Sequence, residues 1–68
     1  MPRTDIARRL AQIVTDMKSI NSQLADVNTH WADPPDPDKP AIRAQLDEVK
    51  VQAASATRLA DGMLARLG

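Results

Sequence analysis

Large apolar residues recur along this chain at alternating steps of four and three. They fall at Ile6, Leu10, Ile13, Met17, Ile20, Leu24, Val27 and Trp31, and then at Ile42, Leu46, Val49, Ala53, Ala56, Ala60, Met63 and Leu67. This is a heptad spacing, which returns each side chain to one face of an α-helix, whereas a strand repeats its faces every second residue. The pattern predicts an all-α chain with two helices, each carrying one apolar stripe.

The segment that separates the two runs, His30-Trp31-Ala32-Asp33-Pro34-Pro35-Asp36-Pro37-Asp38-Lys39-Pro40, is built to stop one helix and start another. Proline pushes the residue before it towards extended backbone, so Pro34 and Pro35 predict that helix one ends near Trp31 or Ala32. Pro37 keeps the connection stiff. Thr4 is the expected cap of helix one, with Asp5 in the first turn, where the helix dipole favours negative charge. Asp38 is the expected cap of helix two, ahead of Lys39 and Pro40 in a first turn where a missing amide donor costs little. Gly68 suits a helix end. The expected organisation is a single helical-hairpin domain over residues 1–68, with helix one about 4–31, a Pro-rich turn 32–38 and helix two about 39–67.

A connection this short makes the helices antiparallel neighbours. Pairing Trp31 with Ile42 then places Val27 on Leu46, Leu24 on Val49, Ile20 on Ala53, Met17 on Ala56, Ile13 on Ala60, Leu10 on Met63 and Ile6 on Leu67. The central alanines of helix two fall opposite Ile20, Met17 and Ile13, and close packing favours facing volumes that complement one another in this way. The expected fold is therefore an antiparallel two-helix hairpin of coiled-coil type.

With 68 residues and no cysteine, such a hairpin has little core and no disulfide to compensate. Self-association into a four-helix bundle is the expected remedy, with a homodimer as first choice. Helix one puts Leu10, Met17 and Leu24 at heptad a positions and Ile6, Ile13 and Ile20 at d positions, an arrangement that favours tetrameric packing in parallel coils. Ala7, Val14, Leu59 and Leu64 widen the stripe towards the open end and form the candidate oligomer or partner surface. Gly62 lies near them on the outer side of helix two, where it marks either a close backbone contact or a fraying end.

Chemistry has little to work with. His30 is the one histidine, and there is no cysteine or tyrosine to act as a nucleophile beside it, so no catalytic site and no cofactor are expected. Asp26, His30 and Asp33 could be imagined as metal ligands, but a histidine in the last turn of a helix is explained by the dipole and by an aspartate four residues earlier. Asp33, Asp36 and Asp38 lack the spacing and the glycine of a calcium loop. Nine basic and nine acidic residues cancel, which removes any general attraction to nucleic acid or to an anionic membrane. Arg3, Arg8 and Arg9 form one basic group, a candidate nucleic-acid contact without interleaved aromatics. Trp31 either covers the end of the bundle or anchors a partner.

A helical hairpin with tryptophan at its turn, here Trp31-Ala32-Asp33, resembles the secreted WxG-type proteins of actinobacterial export systems. The glycine of that motif and the tyrosine of the family's C-terminal signal have no counterpart, so no function is carried over; membership would imply recovery outside the cell. The residues themselves, lacking a signal peptide or a bilayer-spanning run, point to the cytoplasm. The reading of function is a non-enzymatic interaction or assembly module, acting as an adaptor, inhibitor or structural component. The alternative is a small DNA-binding regulator that uses the arginines of helix one.

Overall fold

The computed structural model describes the backbone of residues 3–68 and the side chains of residues 5–68. The chain is all-helical: α1 spans Arg3–Thr29 and α2 spans Lys39–Leu67, with one 3₁₀ turn over Asp36–Asp38 between them and no strand among the described residues. It divides into two units, residues 1–32 and 33–68, each built around one long helix. At 27 and 29 residues the helices are each about 40 Å long.

The polar face of α1 is stitched locally. Gln12 donates to the Asp16 carboxylate at 3.0 Å and Gln23 donates to the Ser19 hydroxyl at 3.3 Å, both four residues apart, where helix side chains meet. Thr15 returns its hydroxyl to the Ala11 carbonyl at 3.2 Å, which satisfies a polar group that otherwise competes with helix formation. The helix begins at Arg3, one residue ahead of Thr4. The capping role expected of Thr4 lies outside the described residues, as does the side chain of Arg3.

Helix one ends at Thr29, earlier than the prolines alone predict. Asn28, Thr29 and His30 are poor helix formers, and the last turn tightens. The His30 amide still bonds the Asp26 carbonyl at 3.0 Å, but the Trp31 amide turns to the Asn28 carbonyl at 3.3 Å, one residue short of the α-helical partner. Beyond it Pro34 and Pro35 have no N–H for the carbonyls of His30 and Trp31. Trp31 therefore lies past the helix, and the expectation that it forms the last heptad position of helix one is corrected.

The entry to α2 departs from expectation in one respect. Asp38 occupies the N-cap position, yet its backbone is helical (φ −88°, ψ −18°) and its side chain makes no capping hydrogen bond. Two causes are visible. The 3₁₀ turn has already bent the chain, with the Asp38 amide on the Pro35 carbonyl at 2.9 Å, so Asp38 lacks the extended backbone that aims a cap side chain at the first turn. Pro40 also removes one of the amides such a cap would reach. An exposed ion pair, Lys39 Nζ to Asp36 Oδ1 at 3.0 Å, closes the turn. Pro35 adopts polyproline geometry (φ −61°, ψ 150°), as a stiff connection requires. At its far end α2 stops on Gly68, whose φ of +94° is the left-handed conformation that favours glycine at a helix terminus.

Candidate interaction surface

A lone helix cannot enclose a side chain, and no side chain is buried among the described residues. Within α1 the stripe Ile6, Leu10, Ile13, Met17, Ile20 and Val27 is exposed, and Leu24 is half-buried by its own helix neighbours. Within α2 Leu46, Val49, Met63 and Leu67 are exposed, Ile42 and Ala56 are half-buried, and Ala53 and Ala60 are exposed. Each helix thus presents a continuous apolar face along most of its length. A stripe of this size on an otherwise polar helix is the surface that drives helix packing, because helices of ordinary sequence take most of their stability from covering such a face.

The flanking positions add to the stripe on both helices. Val14, Leu59 and Leu64 are exposed, the two leucines more than 60% so, and Ala7 stands beside Ile6 at the start of α1. Val51 was not among the residues singled out from the sequence. It is 54% exposed and lies two residues beyond Val49, on the opposite face of α2. Its signal was available as an apolar residue outside the heptad, in a position where nothing in the spacing asks for one.

Gly62 lies inside α2, not at a frayed end, and a Cβ built on it meets nothing within 4 Å. Within its own unit, glycine there serves no close approach. At the end of α1, His30 Nδ1 lies 3.0 Å from the carbonyl oxygen of Asp26. A carbonyl can only accept, so the bond requires the proton on Nδ1, and the ring supplies a donor to the helix terminus. The partner is the backbone carbonyl rather than the Asp26 carboxylate. Among the described residues no three histidine, aspartate or glutamate side chains converge as metal ligands. Trp31 is half exposed at 49%. Of the three basic residues at the start of α1, Arg8 and Arg9 are exposed, and the side chain of Arg3 lies outside the described residues. No helix among the described residues is long and apolar enough to cross a membrane.

Comparison with known protein families, with curated proteins and with solved structures yields no match. The stripes and their flanks are therefore interpreted on their own physical chemistry.

Proposed function

We propose that this chain is a non-catalytic protein–protein interaction or assembly module that works as an antiparallel helical hairpin and completes its core by self-association, a dimer forming a four-helix bundle. The observation that carries the reading is the exposed apolar stripe repeated on both helices, whose steps of four and three match residue for residue. In the hairpin register, Val27 meets Leu46 and Leu24 meets Val49, and the alanines at 53, 56 and 60 receive Ile20, Met17 and Ile13. The surplus at Val14, Leu59 and Leu64 then lies where a second copy or another protein can cover it.

Two measurements test the reading. Sedimentation equilibrium is expected to give a mass that rises from the 7.4 kDa chain to its multiple with concentration. A chain carrying Val27→Cys and Leu46→Cys is expected to form an intrachain disulfide under mild oxidation, since a facing pair in this register brings its Cβ atoms within bonding range. A strictly monomeric chain that forms no such disulfide defeats both the hairpin and its assembly.

A second reading, DNA binding, draws on Arg8 and Arg9, which make no ion pair among the described residues. It requires retention on duplex DNA that falls steeply as salt rises.

A further inference from the structure

We draw no further inference here: the strongest candidate, the exposed apolar surface patch that Leu59, Met63, Leu64 and Leu67 form at the C-terminal end of α2, carries nothing beyond the self-association already proposed, because nothing in the structure shows what covers it.

Discussion

At single positions the chain shows how far a local rule extends before its neighbours intervene. Asp38 has the right residue type for a cap and stands at the right position, but the preceding 3₁₀ turn holds its backbone in the helical region and its side chain makes no capping bond. Its charge still suits the start of α2, so its value is that of a dipole partner. Replacing Asp38 with Asn keeps the hydrogen-bonding capacity and removes the charge. The expected loss is below about 1 kcal/mol and is reduced by salt, as read from urea denaturation at two ionic strengths. A loss independent of salt counts against the dipole role. Gly62 offers a cleaner case. A Cβ there meets open space within its own unit, so Gly62→Ala is expected to raise stability by about 0.5–1 kcal/mol, through helix propensity and a less disordered unfolded chain. If thermal melting shows destabilisation instead, the glycine is packed against another copy or another protein.

At the level of the helices, both elements are long but individually exposed. An amphipathic helix with no interior draws little stability from propensity alone. A peptide comprising residues 1–32 is expected to lose most of the helical circular dichroism that the same residues contribute in the full chain. Equal helicity at equal molar concentration shows that α1 needs no cover. The proposed hairpin adds a test at the middle of the stripe, because Ala56→Leu enlarges a position matched to Met17. In a closed core that change is expected to cost roughly 1–3 kcal/mol in denaturant unfolding. An unchanged or higher melting temperature argues for a different register.

For the molecule as a whole, the proposed self-association predicts a link between stability and concentration. Association that covers a folded surface stabilises the folded state by mass action. The melting temperature is expected to rise by several degrees when protein concentration increases tenfold or more. A melting temperature independent of concentration over that range is incompatible with a dimer whose dissociation constant lies within it.

The helical class and the existence of two helices were legible in the residue order, because a heptad repeat has one geometric solution for an isolated segment. The glycine at the end of α2 was legible for another local reason, the freedom of a residue without a Cβ to take a positive φ. The stop at Thr29 was not, because it depends on a competition among weak partners: an amide that turns to Asn28, a ring proton of His30 that takes the Asp26 carbonyl, and prolines that withhold their donors. The conformation of Asp38 and the empty space around Gly62 also emerged only in three dimensions. Periodicity records which side a residue faces, whereas the end of a helix and the room beside a backbone atom depend on several groups competing for the same space and the same hydrogen bonds.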